Sequence, residues 1–75
     1  MDWRDHIERR TGVAGGRPVF KGTRLTVEFV LERLSQGARP ESLVASHPPL
    51  TESMIQAALA YAVSTVRQDE VLLSA

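Results

Sequence analysis

Apolar residues recur at helical spacing from Thr26 onward, and before it they do not. Val27, Val30, Leu31 and Leu34 stand at i, i+3, i+4 and i+7, the stripe of an amphipathic helix. Thr26 is the expected N-cap and Gly37 the expected stop just past the end. Pro40 suits the first position of a second, short helix, and Glu41 suits its positive end. That helix ends at His47-Pro48-Pro49. Thr51 caps a third helix, in which Ile55, Ala58, Leu59, Ala62, Val63 and Val66 form the cleanest apolar stripe, read here as core. Arg67-Gln68-Asp69-Glu70 interrupts the stripe before Val71-Leu72-Leu73, an apolar triplet that extends the helix, docks on a partner or frays.

Residues 1–26 are irregular and rich in glycine. Val19-Phe20 and Leu25-Thr26-Val27 read as strands on either side of a Lys21-Gly22-Thr23 turn, with a further turn at Gly15-Gly16. One short hairpin does not stand alone, so it is expected to lie on the helices or pair with a second copy. The fold class is therefore mainly α, a three-helix, helix-turn-helix-like bundle preceded by a short β-hairpin or strand segment. The chain divides into a β/turn segment (1–26), a helical core (27–66) and a tail (67–75) of one domain.

The outer face of the third helix separates two functions. Opposite the apolar stripe fall Ser53, Ala57, Ala60 and Ser64, flanked by Gln56, Tyr61 and Arg67. A DNA-reading helix carries polar and basic side chains on this face. Here the face is small and nearly uncharged, which suits a core or protein interface better than a groove.

At 75 residues the chain has room for one domain, and so short a domain buries only about 60% of its unfolded surface. It has no cysteine, hence no disulfide and no thiolate metal site. Small, unstapled domains gain stability by self-association or by binding a partner, and a homodimer is expected. The longest apolar run, Ala57 to Val63, is too short to span a membrane. No apolar block follows the acidic N-terminus, so a cytoplasmic location is expected. Net charge is zero, yet residues 1–39 carry a net +3 and residues 40–75 a net −3. The basic half suits phosphates and the acidic half a basic partner; the plain alternative is solvated surface charge.

Catalytic chemistry finds little support. Gly16 to Gly22-Thr23 has the wrong spacing for a phosphate loop and lacks its lysine. There is no nucleophile elbow, no paired histidine motif and no carboxylate pair set among apolar residues. His47 is expected to make a turn hydrogen bond and His6 to be solvated. No enzyme activity, metal or cofactor is expected. Arg24 holds a phosphate or a partner carboxylate, or else satisfies carbonyls of its own fold. Trp3 is an interface anchor or a lid over the core. The candidate DNA-contacting residues are Arg17, Lys21, Arg24, Arg39, Ser53 and Gln56. The candidate partner-contacting residues are Ala57, Ala60, Tyr61, Ser64, Val71, Leu72 and Leu73.

Four blocks, in order, resemble a known family. They are Gly15-Gly16-Arg17-Pro18-Val19-Phe20-Lys21-Gly22-Thr23-Arg24-Leu25-Thr26-Val27, Gly37-Ala38-Arg39-Pro40-Glu41-Ser42-Leu43, His47-Pro48-Pro49-Leu50-Thr51 and Ala57-Ala58-Leu59-Ala60-Tyr61-Ala62. Together they resemble the domain of unknown function family 433, over roughly residues 12 to 66. Arg39 and His47 depart from the serine-like cap and the tyrosine usual there, and Pro49 is an extra proline. The resemblance implies a homeodomain-like helix-turn-helix with a β segment in front. It also implies an antitoxin that blocks a PIN-like ribonuclease and binds operator DNA as a dimer. A stand-alone DNA-binding regulator is the competing expectation, and a purely structural dimerisation module a third.

Overall fold

The computed structural model describes the backbone of residues 1–74 and the side-chain surroundings of residues 1–69. A 3-10 turn, Trp3–Asp5, leads into strand β1 (Ile7–Glu8). A second 3-10 turn, Ala14–Gly16, precedes strand β2 (Val19–Phe20). Helices α1 (Val27–Ser35), α2 (Pro40–Ser46) and α3 (Glu52–Ser74) follow.

β1 and β2 pair antiparallel, Ile7 opposite Phe20 and Glu8 opposite Val19. The strand expected at Leu25–Val27 is reduced to one bridge between Val19 and Thr26. Phe20 N–H still donates to Leu25 O at 3.0 Å, and Val27 N–H to Pro18 O at 3.0 Å, so the turn closes before α1 begins. Residues 26 and 27 are then drawn into the helix by the Thr26 cap, whose hydroxyl accepts from Phe29 N–H at 3.0 Å. The ladder partner of β2 is instead Ile7–Glu8, which holds a single apolar residue between charged neighbours and shows no readable alternation.

The turn after β2 is held from several directions. Thr23 Oγ1 donates to Phe20 O at 2.9 Å and accepts from Leu25 N–H at 3.0 Å. Gly22, at φ 77°, takes the left-handed position that the turn requires. Arg10 donates through Nη2 to Thr23 O at 2.8 Å. Its Nε lies 3.0 Å from Glu8 Oε2, outside hydrogen-bond alignment, and so acts as an ion pair.

α1 ends in a Schellman motif. Ala38 N–H donates to Arg33 O and Gly37 N–H to Leu34 O, each at 3.0 Å, with Gly37 at φ 94°. Pro40 opens α2 at its first turn, and Arg39 makes no side-chain cap bond. His47 closes α2: its Nδ1 lies 3.2 Å from Leu43 O, and its ring stands edge-on to Phe29 at 5.2 Å. Thr51 caps α3 through Oγ1, which accepts from Met54 N–H at 3.1 Å.

The core is a contiguous cluster of Ile7, Phe20, Val27, Val30, Leu43, Leu50, Ile55, Ala57 and Ala58. Every secondary-structure element apart from the 3-10 turns contributes to it, and Trp3 packs on its edge. α3 runs without a break to Ser74, so residues 67–74 continue the helix rather than forming a separate tail. Phe20 is fully buried, so Phe20→Ala leaves a cavity in this small core and is expected to cost about 3–5 kcal/mol. Gly37→Ala forces a left-handed alanine and is expected to cost about 1 kcal/mol. Urea unfolding followed by circular dichroism checks both values.

Candidate docking face on the third helix

α3 is apolar on more than one side, and the side that its own chain covers is not the one its stripe suggests. Ala57 and Ala58 are fully buried. Tyr61 and Ser64, further along the same side, are half-buried. The N-terminal segment lies over them. Trp3 meets Tyr61 edge-to-face at 4.9 Å between ring centroids. Trp3, Ile7, Tyr61, Ser64, Thr65 and Gln68 line one cleft of about 500 Å³. Alanine and serine let the segment approach the helix closely. Of the residues expected to face a partner, Ala57 lies in the core, and Tyr61 and Ser64 border the cleft that Trp3 and Ile7 of the same chain also line. Trp3 is accordingly a lid, and Ala60 is only half-buried.

The stripe read from the sequence is covered only at its start. Ile55 and Ala58 do lie in the core. Leu59, Val63 and Val66 are 47, 48 and 53% exposed, and with Ala62 and Arg67 they border a shallow apolar groove. Among the described residues the other large apolar side chain so exposed is Met1. Isolated surface leucines and valines need no explanation, but a contiguous strip of them marks a contact surface. The signal available in the sequence was the run Ala57 to Val63, which gives α3 more apolar surface than a three-helix core can cover. The side chains of Val71, Leu72 and Leu73 lie outside the described residues.

The candidate DNA contacts stand on several parts of the chain. Lys21 and Arg24 are exposed at the turn after β2, and neither side chain forms a hydrogen bond or ion pair with the described residues. The carbonyl-binding role considered for Arg24 belongs to Arg10. Arg17 lines a separate cleft of about 610 Å³ with Glu28, Glu32 and Tyr61. Arg39 is exposed between α1 and α2. Ser53 and Gln56 are exposed at the start of α3 beside Glu52, where a recognition helix would carry cations. No group of histidine and carboxylate side chains arranged to hold a metal ion occurs among the described residues. No helix in them is long and apolar enough to cross a membrane.

One titrating group bears on the lid. The Asp2 carboxylate is held below its ordinary range, first by accepting Arg4 N–H at 3.0 Å and further by the Arg4 guanidinium at 3.4 Å. It caps the 3-10 turn that carries Trp3.

The fold and these sequence blocks coincide with a known family. The model of the protein family of unknown function DUF433 matches residues 7–62, and the chain belongs to that family. A crystal structure of a DUF433 member protein from Anabaena variabilis ATCC 29413 superposes with a TM-score of 0.77 at 28% identity. The match covers 96% of this chain and 71% of that one. No curated protein matches.

Two outcomes are expected from this arrangement. Val63→Ser and Val66→Ser, on the open side, change stability by less than about 0.5 kcal/mol. Ala57→Leu, in the core, overpacks and costs about 1–3 kcal/mol; urea unfolding compares the three. Because the folded pKa of Asp2 is depressed, its capping contribution is full above the ordinary aspartate value and is lost as pH falls through the lower folded value. Fluorescence of Trp3, the only tryptophan, is expected to shift toward that of an exposed indole over that acidic range in wild type, ahead of global unfolding. In Asp2→Ala that pH dependence is expected to be absent.

Proposed function

We propose that this chain is a non-enzymatic, antitoxin-like protein that binds and neutralises a partner toxin, a PIN-like ribonuclease, through the open apolar strip of α3. The observation that carries this reading is the open strip of Leu59, Ala62, Val63 and Val66 on a helix whose other side is already covered. Burial of such a strip against a second protein removes apolar surface from water, and aliphatic side chains on a rigid helix lose little freedom in doing so. The ribonuclease as the partner comes from the family resemblance alone. The protein is read as cytoplasmic and as a homodimer.

Autorepression by DNA binding belongs to the same proposal in a restricted form. The exposed cations Arg17, Lys21, Arg24 and Arg39 suit contacts to phosphates, which position a protein without reading sequence. The exposed start of α3 offers Glu52, Ser53 and Gln56, a poor set for direct base readout. A stand-alone regulator is therefore the weaker reading.

Co-expression of the tagged chain with its neighbouring gene tests the proposal. A nuclease is expected to co-purify in stoichiometric amount. Val63→Glu with Val66→Glu is expected to abolish capture, while Lys21→Ala with Arg24→Ala retains it. Any duplex binding is expected to weaken steeply with salt and to depend on Lys21 and Arg24. Failure to capture the nuclease, together with tight sequence-specific DNA binding by the chain alone, would reverse the order of the two readings.

A further inference from the structure

We propose that the cleft between α1, Tyr61 and the segment before β2 is a separate docking site, which takes an arginine side chain on an extended segment of a partner protein. The inference goes beyond the antitoxin reading and does not depend on it, since no residue lining this cleft lines the open strip of α3. The cleft holds about 610 Å³. Pro18, Val27 and Leu31 supply its apolar lining, and Arg17, Glu28, Glu32 and Tyr61 bring polar groups to it. Glu28 and Glu32 stand one turn apart on α1, with Leu31 on the same face. Both are exposed, and neither forms an ion pair with the described residues, although Arg17 lines the same cleft. Like charges at this spacing weaken a helix, and here no neighbouring cation relieves them. The Tyr61 ring is held edge-to-face against Trp3, and its hydroxyl makes no hydrogen bond with the described residues.

These groups together select one chemistry. A cation placed between Glu28 and Glu32 offsets their repulsion. An aliphatic stem suits the lining of Pro18, Val27 and Leu31. Arginine has both, and its planar fork can donate to two carboxylates while lying against an aromatic ring, which a lysine ammonium does less well. Arg17, Glu28 and Glu32 carry a net −1, so the cleft favours a basic ligand over an acidic one. Arg17 and the Tyr61 hydroxyl remain as donors, and the backbone carbonyls on either side of the bound arginine are the acceptors they lack. Exposed ion pairs are individually weak. A small free cation would therefore be held poorly, whereas a segment of a folded protein adds the backbone contacts and the flanking side chains that the width of the cleft admits.

Selection of a phage library of random dodecapeptides on the immobilised full chain tests this. The enriched peptides are expected to share an arginine with aliphatic or proline neighbours. A synthetic peptide of the enriched sequence is expected to shift the amide resonances of Leu31 and Tyr61. Replacing its arginine by citrulline, which keeps the shape and removes the charge, is expected to weaken binding about threefold to tenfold. Glu28→Gln with Glu32→Gln is expected to weaken it to a similar degree while the urea midpoint stays close to that of wild type. Val63→Ser is expected to leave it unchanged. A selection that enriches nothing, or peptides with no common cation, overturns the proposal. So does peptide binding that survives citrulline or the double glutamine variant, or that is lost in Val63→Ser. A chain that binds the peptide in this way but captures no nuclease overturns the antitoxin reading alone.

Discussion

The pairing of Ile7 with Phe20 is the contact on which the rest of the molecule turns. It joins the first residues of the chain to the middle of the core and lays residues 3–8 along α3. Without it the turn after β2 would lose its neighbour, since Lys21 N–H donates to His6 O at 2.9 Å on the same ladder. Trp3 would have no reason to stand against Tyr61, and the small-residue side of α3 would be open. A domain of this size has too few apolar side chains to cover both sides of its longest helix. Which side is covered is decided by where β1 leads the chain, and the other side is left to whatever binds it.

That dependence explains what could and could not be read from the residues. The local signals were legible because they act within a few residues. Thr26 and Thr51 cap α1 and α3, Gly37 ends α1, and Pro40 starts α2. The orientation of α3 was not legible. Its spacing of apolar residues fits burial of Leu59, Ala62, Val63 and Val66 at least as well as burial of Ala57, Ala58 and Tyr61. The choice depends on a two-residue strand far away in sequence, whose single isoleucine sits among charges. Arg10 was equally hidden, because a guanidinium that reaches thirteen residues along the chain to Thr23 O leaves no local pattern. After Val66, of the three readings open from the residues, the backbone shows the helix extended, since polar residues interrupt a stripe but do not stop a helix.

The same geometry weighs against a recognition helix. Helix-turn-helix proteins that read DNA present the second helix of the pair with its polar face free for the groove. Here the first turns of α3 bring Glu52 to the surface next to Ser53 and Gln56, while Lys21, Arg24 and Arg39 stand outside the helix. Cations on turns can hold a phosphate backbone, but without side chains reaching base edges they discriminate poorly. The chain carries the architecture associated with sequence reading and places an aliphatic strip on the helix that would do it.

The closed segment between β1 and β2 has a consequence for how this scaffold can change. Its two ends are held together by the strand ladder, and the Arg10 bond to Thr23 O fixes its base to the neighbouring turn. Between them, Thr11, Gly12, Ala14 and Gly15 are exposed, and none of these residues belongs to the core cluster. The entropy of closing such a loop grows only with the logarithm of its length. Extra residues placed at Gly12–Gly15 would thus lengthen a lobe that is already tied off at its neck. The position is a natural graft point, where an epitope or a binding loop can be carried without disturbing the N-terminal segment on α3.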